Sequence, residues 1–320
     1  MTILAKLMLA TVATMAAGAV QAATQAVTQD RPVNCDNCKE WNAAVKPFNV
    51  LGNTWYVGTA GLSAVLVTSP QGHILLDGAL PQSAPLIIAN IEALGFRIED
   101  VKYILNSHAH WDHAGGIAAL QRASGATVVA SAPGALALQS GTNGRDDPQY
   151  QANPVVTVAK VAKVSLVGEG DVIRVGPLAL TAHMTPGHTP GGTTWTWTSC
   201  ENERCLNVVY ADSLNPYASG DFRYTGKGEG KGKTPDISAS FEASIAKVAA
   251  LPCDIIIPVH PGTTDVLGKA AQRNSAHNPF IDARACSNYA ADAGALLAKR
   301  LAKERGEAVP ADAKGAAHAH

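Results

Sequence analysis

Four side chains of metal-ligand type lie within six positions in the segment His108-Ala109-His110-Trp111-Asp112-His113. The segment follows the apolar run Val101–Leu105, which predicts a short buried strand. Side chains at positions i and i+2 of an extended backbone point to the same side, so His108 and His110 can bind one ion. Two glycines follow shortly after, and we expect the chain to turn there and direct Asp112 and His113 toward a second ion. Imidazole nitrogens combined with a carboxylate are typical zinc ligands.

Two further histidines supply the ligands that such a pair of ions would still need. His188 belongs to the Pro- and Gly-rich stretch 185–192, and His260 follows the apolar run Ile255–Val259 and precedes a Pro-Gly pair. Each of them alone would be typical of an ordinary loop histidine. Two tetrahedral zinc ions that share a water need about six protein ligands, so we interpret both histidines as ligands.

The composition excludes several classes of protein. The chain of 320 residues carries 25 Lys and Arg against 26 Asp and Glu, and 47% of its residues are hydrophobic while 16% are charged. A disordered chain needs high net charge or little apolar material, and a large nucleic-acid interface needs an excess of basic residues. Beyond the N-terminus no apolar run reaches the roughly 18 residues of a membrane span. We therefore expect a folded protein that binds neither nucleic acid nor membrane.

Residues 1–22 have the pattern of a signal peptide. One early positive charge, at Lys6, is followed by an apolar Ala-rich run and by the small residues around Val20–Ala22. A buried N-terminal helix is the alternative for this segment. We predict cleavage at its end and export to the periplasm. The remaining chain is expected to form an N-terminal arm at 23–50, one large domain at 51–305 and a disordered tail at 306–320.

Six cysteines, all after the predicted signal peptide, fit an oxidising compartment. Six cysteines allow about 15 disulfide connectivities. The connectivity that we favour has the pairs Cys35–Cys38, Cys200–Cys205 and Cys253–Cys286. The second of these pairs flanks a short polar turn between two strand-like runs. The first has the spacing of a redox motif but lacks the preceding strand and following helix that such a motif needs.

Strand-like runs and amphipathic helical segments alternate along the chain. The apolar runs Val101–Leu105, Leu206–Tyr210 and Ile255–Val259 are predicted strands that end beside residues of metal-ligand type. Ile237–Ala250 has the pattern of an amphipathic helix, whereas the polar stretch Ala135–Val155 is typical of an exposed loop. Strands followed by helices occur twice, so the sequence predicts an α/β protein, a four-layer αβ/βα sandwich.

These motifs resemble those of the metallo-β-lactamase superfamily. The resemblance rests on the His-x-His-x-Asp-His signature at 108–113, the Pro-Gly-His-Thr-Pro-Gly loop at 186–191 and the strand-end His260. Within the superfamily, a histidine at the first ligand position, a serine where other subclasses have cysteine, and an exported chain resemble subclass B3. The resemblance covers roughly residues 40–305 and implies the metallo-β-lactamase fold.

Position by position, the resemblance implies two zinc ions per chain and a set of ligands for each. The first ion would be held by His108, His110 and His188. The second ion would be held by Asp112, His113 and His260. In the stretch Tyr210–Asn215, Ser213 would bind the carboxylate of the substrate, and Asn215 stands where a second small hydroxyl residue is often found.

The implied activity is the hydrolysis of small-molecule β-lactam antibiotics, and hence antibiotic resistance, by a monomeric class B β-lactamase. A hydroxide that bridges the two zinc ions would attack the lactam carbonyl, and the catalytic Asp112 would orient it. Two alternatives stay open. Another hydrolase of the superfamily, of the hydroxyacyl-glutathione hydrolase or lactonase type, would use Asp212 to bridge the metals. A non-catalytic periplasmic zinc-binding protein would close its sites with protein ligands.

Overall fold

Two β-sheets form the centre of the protein. The computed structural model describes residues 30–150, 156–226 and 235–308. The first sheet contains, in this spatial order, β1 (Phe48–Leu51), β2 (Thr54–Tyr56), β3 (Val65–Val67), β4 (His73–Leu76), β5 (Val101–Leu105), β6 (Thr127–Ala130) and β7 (Val164–Leu166). Strands β1 to β4 are antiparallel to one another, whereas β4 to β7 run parallel.

The second sheet is mostly antiparallel. Its strands are β8 (Val172–Val175), β9 (Leu178–Met184), β10 (Thr193–Glu201), β11 (Arg204–Ala211) and β12 (Ile255–Pro258). They lie in the order β12-β11-β10-β9-β8, and only the pair β11–β12 of this sheet is parallel. The strand ends of β5, β11 and β12, which the sequence predicted to carry ligand-type residues, therefore belong to two different sheets.

Helices cover the outer faces of both sheets. The described residues form α1 (Cys38–Trp41), α2 (Ala84–Ala93), α3 (Trp111–Ala114), α4 (Ile117–Ser124), α5 (Ala132–Ser140), α6 (Ser238–Ala250), α7 (Val266–Gln272) and α8 (Ala285–Arg305), with short 3-10 helices at Pro81–Ser83, Ile98–Asp100 and Pro261–Thr264. One apolar cluster joins α2, α4 and α5 to the first sheet, a second lies between the sheets, and a third joins α6 and α8 to the second sheet. These clusters separate four layers, so the predicted αβ/βα sandwich is confirmed.

The ends of the central strands β5 and β11 next to the site are apolar because both of their faces are buried there. In β5, Ile104 belongs to the outer cluster and Leu105 to the cluster between the sheets. In β11, Val209 faces the helices and Tyr210 faces the other sheet. Side chains of a strand alternate between its two faces, and a strand covered on both sides therefore needs apolar residues at every position. This requirement explains why such short runs could be recognised in the sequence.

One predicted loop is partly wrong. The stretch Ala135–Val155 was expected to be an exposed loop, but α5 extends as far as Ser140. Ser131 caps the start of α5 by accepting a hydrogen bond from Gly134 N, Pro133 stands in its first turn, and Gly141 ends it at φ 77°. A capping Ser, an early Pro and a terminal Gly are the ordinary signals of a helix. Residues 141–150 are irregular, and 151–155 lie outside the described part of the chain.

The predicted N- and C-terminal segments are only partly covered by the structure. The signal peptide at 1–22, the first residues of the arm at 23–50 and most of the tail at 306–320 lie outside the described residues. From residue 30 onward the arm contains α1 and β1, and its Val33 and Cys38 are buried in the first apolar cluster. Across the described ranges, no helix combines the length and apolar character needed to cross a bilayer.

The three predicted disulfides are confirmed. They are Cys35–Cys38, Cys200–Cys205 and Cys253–Cys286. Cys200 and Cys205 lie opposite each other in the β10–β11 hairpin, so this bond closes a loop that strand pairing already closes. Cys253 precedes β12 and Cys286 lies in the first turn of α8, so this bond attaches the last helix to the second sheet.

Two of these bonds close loops of different length, which predicts different contributions to stability. The Cys253–Cys286 bond spans 33 residues and the Cys200–Cys205 bond spans 5. From loop-closure entropy, we expect the double substitution Cys253→Ser and Cys286→Ser to lower the free energy of unfolding by about 4 kcal/mol. The matched control, Cys200→Ser with Cys205→Ser, should lower it by about 2 kcal/mol. Denaturant unfolding measures both, and equal losses would contradict the entropic account.

Candidate metal centre

The candidate centre lies where strands of both sheets end. His108 follows β5, His260 follows β12, and Asp212 comes directly after β11. His188 belongs to the loop that joins β9 to β10. The carboxyl ends of β5 and β12 thus bring residues far apart in sequence to the same region, between the two sheets.

His108 and His110 converge, but not through the alternation of a strand as the sequence suggested. Strand β5 ends at Leu105, before either histidine. His110 is instead the N-cap residue of α3, with an extended backbone at φ −66° and ψ 149°, and α3 carries Asp112 and His113. A turn followed by a single helical turn therefore replaces the expected extended segment.

Three buried histidines form the first group of ligand-type side chains. One nitrogen from each of His108, His110 and His188 can be chosen so that all three lie within 4.8 Å of one another. The ring centroids of His108 and His110 are 4.8 Å apart, and those of His110 and His188 are also 4.8 Å apart. These are the three residues that the sequence assigned to the first ion.

A carboxylate and two histidines form the second group. His113 Nε2 lies 3.1 Å from Asp112 Oδ2 and 3.2 Å from His260 Nε2, and His260 Nε2 lies 3.5 Å from Asp112 Oδ2. The ring centroids of His108 and His113 are 4.4 Å apart, so the two groups adjoin. The structure therefore brings together all six residues that the sequence assigned to two ions.

Hydrogen bonds hold the outward nitrogens of three of these histidines. His108 Nδ1 lies 2.7 Å from Asp212 Oδ1, His188 Nδ1 2.8 Å from the carbonyl oxygen of Asn215, and His260 Nδ1 3.3 Å from that of Gly61. With Nδ1 held in this way, Nε2 is the nitrogen of each ring that would bind an ion. Such outer partners fix the tautomer and orientation of metal-binding histidines.

The donor set fits a metal ion. His108 Nε2 is buried and has no hydrogen-bond partner among the described residues. Buried polar atoms in folded proteins are nearly always paired, and an unpaired imidazole nitrogen within a group of histidines is satisfied by a cation. Nitrogen donors with one carboxylate suit zinc or a similar transition metal better than magnesium or calcium.

The surroundings shift the pKa values of His108 and His110 in opposite directions, and the shift of His108 is consistent with a ligand role. Burial, followed by the neighbouring imidazoles of His113 and His110, lowers the pKa of His108 well below its usual value, so this ring is neutral near pH 7. Burial also opposes a charge on His110, but the carboxylates of Asp147 and Asp112 outweigh it and raise the pKa of His110. Neutral imidazole is the form that binds metal.

Asp77 supports the turn that carries His108, and the sequence analysis missed it. Its Oδ1 accepts hydrogen bonds from Ser107 N at 2.8 Å and Asn106 Nδ2 at 3.1 Å. Its Oδ2 accepts from Ser107 Oγ at 2.6 Å and from the hydroxyl of Tyr210 at 2.9 Å. The available signal was an aspartate directly after the apolar strand β4, the same position that Asp212 occupies after β11.

The residues expected to contact substrate lie directly after β11. Ser213 is buried, and its Oγ accepts a hydrogen bond from Asn215 N at 3.4 Å. Asn215 contributes its backbone carbonyl to His188, a contact that its side-chain identity does not determine. The structure thus ties the Ser213–Asn215 segment to the first group of histidines.

The N-terminal arm reaches the second group. The ring of Trp41, at the end of α1, lies with its centroid 5.4 Å from that of His260 and 6.2 Å from that of Trp111. Gly61 accommodates this ring, since a Cβ at position 61 would lie 2.9 Å from the ring atom Cγ of Trp41. The sequence analysis did not assign the arm to the site, because nothing local in it suggests a contact with His260.

The sequence and the fold of this chain are similar to those of known proteins. A profile of the Metallo-beta-lactamase superfamily matches residues 58–200. The chain is 50% identical to MEM-A1, a subclass B3 metallo-β-lactamase isolated from a soil metagenome library, over 83% of this chain and 99% of that one, with a TM-score of 0.79. It is also 50% identical to the Rm3 metallo-β-lactamase, over 85% of this chain and 100% of that one, with a TM-score of 0.80.

A curated relative matches a shorter region. The chain is 38% identical over 125 residues to the hydroxyacylglutathione hydrolase of Rhodopseudomonas palustris (strain BisB5), which is 39% of this chain. The chain spans only 38% of the length of that relative. The shared region therefore does not extend over the whole of either protein.

The two groups predict two separable metal sites. After dialysis against zinc, we expect elemental analysis to find two ions per chain. His260→Ala should retain one tightly bound ion and bind the other weakly, because His260 belongs only to the second group. The exposed His277 offers a matched control, and His277→Ala should retain both ions. Two tightly bound ions in His260→Ala, or one ion in the unmodified protein, would contradict the assignment.

Proposed function

Because the chain belongs to subclass B3 of the metallo-β-lactamase superfamily, we propose that it is a zinc-dependent β-lactamase. Its substrates would be β-lactam antibiotics, whose amide bond it hydrolyses. The observation that carries this proposal is the 50% identity to a subclass B3 enzyme over 99% of that enzyme's length. The similarity to a hydroxyacylglutathione hydrolase covers 38% of that protein.

We propose zinc as the metal and two ions per chain. His108, His110 and His188 would hold the first ion. Asp112, His113 and His260 would hold the second. Zinc held in this way would lower the pKa of a bound water toward about 7 and would polarise a carbonyl oxygen. Hydrolysis then needs no protein nucleophile, and no covalent acyl-enzyme is expected.

Asp112 is the residue that we assign to orienting the attacking water. Its Oδ2 lies 3.1 Å from His113 Nε2 and 3.5 Å from His260 Nε2, which places the carboxylate within the second group. A carboxylate held by two imidazoles keeps a defined direction, and a defined direction lowers the entropic cost of attack on the lactam carbonyl. Ser213 would donate a hydrogen bond to the substrate carboxylate at the edge of the first group.

A hydroxyacyl-glutathione hydrolase is the second candidate, and it would use Asp212 as a bridge between the metals. Asp212 Oδ1 instead lies 2.7 Å from His108 Nδ1, the outward nitrogen of that ring. Its other oxygen faces Gly192, where a Cβ would collide with it. An aspartate that occupies this outer position orients a ligand, and this arrangement favours the lactamase over the second candidate.

Export to the periplasm remains part of the proposal. It rests on the signal-like residues 1–22 and on the disulfides, which form in oxidising compartments. There the enzyme would act, as a monomer, on antibiotics before they reach their targets, which is the basis of antibiotic resistance.

Two substrates separate the candidate functions. We expect the purified protein to hydrolyse a chromogenic cephalosporin, to lose this activity with a metal chelator, and to recover it with added zinc. S-lactoylglutathione should remain intact under the same conditions. Hydrolysis of the thioester without hydrolysis of the lactam would establish the second candidate and exclude our proposal. Zinc binding without either reaction would indicate a non-catalytic protein.

Substitution of Ser213 tests the contact with substrate. Ser213→Ala removes a hydrogen bond that would be made in both ground state and transition state, so KM should rise more than kcat falls. A lost hydrogen bond to a charged group is worth about 1.5–3 kcal/mol, which corresponds to a ten- to hundredfold loss in kcat/KM. Steady-state kinetics on a cephalosporin measure this change.

The controls for Ser213→Ala come from the same chain. Among the described residues, the hydroxyl of Ser287 donates only to the carbonyl oxygen of Arg284, just before α8. Ser287→Ala should therefore leave the kinetics unchanged. Asp112→Ala should collapse kcat, because it disturbs both the second ion and the attacking water. A Ser213→Ala variant with unmodified kinetics would remove this residue from the substrate site.

A further inference from the structure

A carboxylate is buried within an otherwise exposed loop beside the metal centre. Asp147 is 6% exposed, whereas Gly144, Arg145 and Asp146 just before it are exposed. An aspartate is rarely buried unless it is paired, because its charge loses hydration. Neither the proposed metal site nor the proposed substrate contacts explain why this loop folds an aspartate inward.

The partner of this carboxylate is His110. Both oxygens of Asp147 lie 3.1 Å from His110 Nε2, across 37 positions of sequence. Asp147 Oδ1 also accepts a hydrogen bond from Gln149 N at 2.7 Å, which fixes the carboxylate within the loop. The loop is itself anchored, since the carbonyl oxygen of Pro148 accepts from Ser219 N at 2.9 Å.

His110 differs from the other three histidines in which ring nitrogen makes the outer hydrogen bond. His108, His188 and His260 are each held through Nδ1. His110 is held through Nε2, so Nδ1 is the nitrogen left for a ligand bond. The amide nitrogen Nε2 of Gln149 lies 3.4 Å from His110 Nδ1 and 3.5 Å from His188 Nε2, so these two ring nitrogens face the same point.

We propose that Asp147 is a positioning residue, which selects the Nε2–H tautomer of His110 and thereby presents Nδ1 to the first metal ion. The proposal rests on the metal binding proposed above and not on the identity of the substrate. The carboxylate accepts a hydrogen bond from Nε2–H, which leaves the lone pair on Nδ1, and its charge makes Nδ1 a stronger ligand for the metal. His110 lies at the start of a single helical turn, so without this contact its ring can rotate or change tautomer.

The same contact couples the metal ion to the loop at 142–150. Asp147 joins that loop to a metal ligand, so an ion that fixes the ring of His110 also stabilises the loop conformation that holds it. By linkage, the loop conformation strengthens binding of the ion by the same factor. Loss of the carboxylate should therefore weaken the metal site and uncouple the loop from it.

The neighbouring Asp146 makes a matched comparison possible. Asp147→Ala removes the partner of His110, whereas Asp146→Ala removes an exposed carboxylate one position away. Competition with a chromophoric chelator should show that Asp147→Ala binds one of its two zinc ions about 10- to 100-fold more weakly. Asp146→Ala should bind both as the unmodified protein does. Asp147→Asn, whose amide oxygen accepts a hydrogen bond but carries no charge, should lie between them.

The tautomer of His110 would not change if Asp147 only stabilised the fold, so it is the measurement that tests the proposed role. Nitrogen chemical shifts of His110 in the metal-free protein, at a pH where the ring is neutral, should report a proton on Nε2 in the unmodified protein and in Asp146→Ala. Asp147→Ala should show Nδ1–H or a mixture. Unmodified tautomer in Asp147→Ala would overturn the proposal, even if zinc binding weakened.

The proposal and the lactamase assignment fail separately. A protein that binds zinc, shows the expected tautomers and leaves lactams intact would confirm the role of Asp147 and exclude the proposed substrate.

Hydrogen exchange of the backbone amide of Gln149, which donates to Asp147, tests the coupling between the metal ion and the loop. Zinc should slow this exchange in the unmodified protein and leave it unaltered in Asp147→Ala. Equal slowing in both proteins would contradict the coupling.

Discussion

The hydrogen bonds of one buried carboxylate, that of Asp77, hold the two sheets and the metal-ligand turn in a fixed relation. Asp77 directly follows β4, its partners Asn106 and Ser107 follow β5, and Tyr210 belongs to β11 of the other sheet. Hydrogen bonds to a charged group contribute about 1.5–3 kcal/mol each, and they offset part of the cost of burial, which still raises the pKa of Asp77. Because Ser107 directly precedes His108, the position of the first ligand depends on this junction. The layers could slide relative to one another without it, and the two groups of ligands would no longer adjoin.

Two kinds of hydrogen-bond acceptor orient the histidines of the site. Backbone carbonyl oxygens hold His188 and His260, whereas carboxylates hold His108 and His110. A carbonyl oxygen is as rigid as the backbone that carries it. A carboxylate adds charge, and it strengthens the donor nitrogen on the opposite side of the ring. The two ligands that begin the 108–113 segment therefore receive electrostatic support from outside it, and the two supplied by distant loops receive geometric support.

Sequence analysis could predict the layers, the strands next to the site and the disulfides, for identifiable reasons. Strand β5 could be predicted as Val101–Leu105 because its end next to the site, Ile104 and Leu105, is apolar and buried on both faces. The candidate ligands stood out because four of them are local in sequence. Helix α5 was missed although its capping signals were present at Ser131 and Gly141. The carboxylates of Asp77 and Asp147 reach their partners across about 30 or more positions, and no periodicity connects such pairs.

The packing of the arm against the second group constrains which residues this chain can accept over evolutionary time. Gly61 has no side chain where Trp41 needs room, and its carbonyl oxygen contacts His260 Nδ1 at 3.3 Å. A larger residue at 61 would displace either the tryptophan or the carbonyl group that orients the histidine. Positions 41 and 61 are thus expected to vary together among relatives, with a side chain appearing at 61 only where the residue at 41 is small. Such a pair of correlated positions would mark lineages in which the packing of the arm beside His260 has changed.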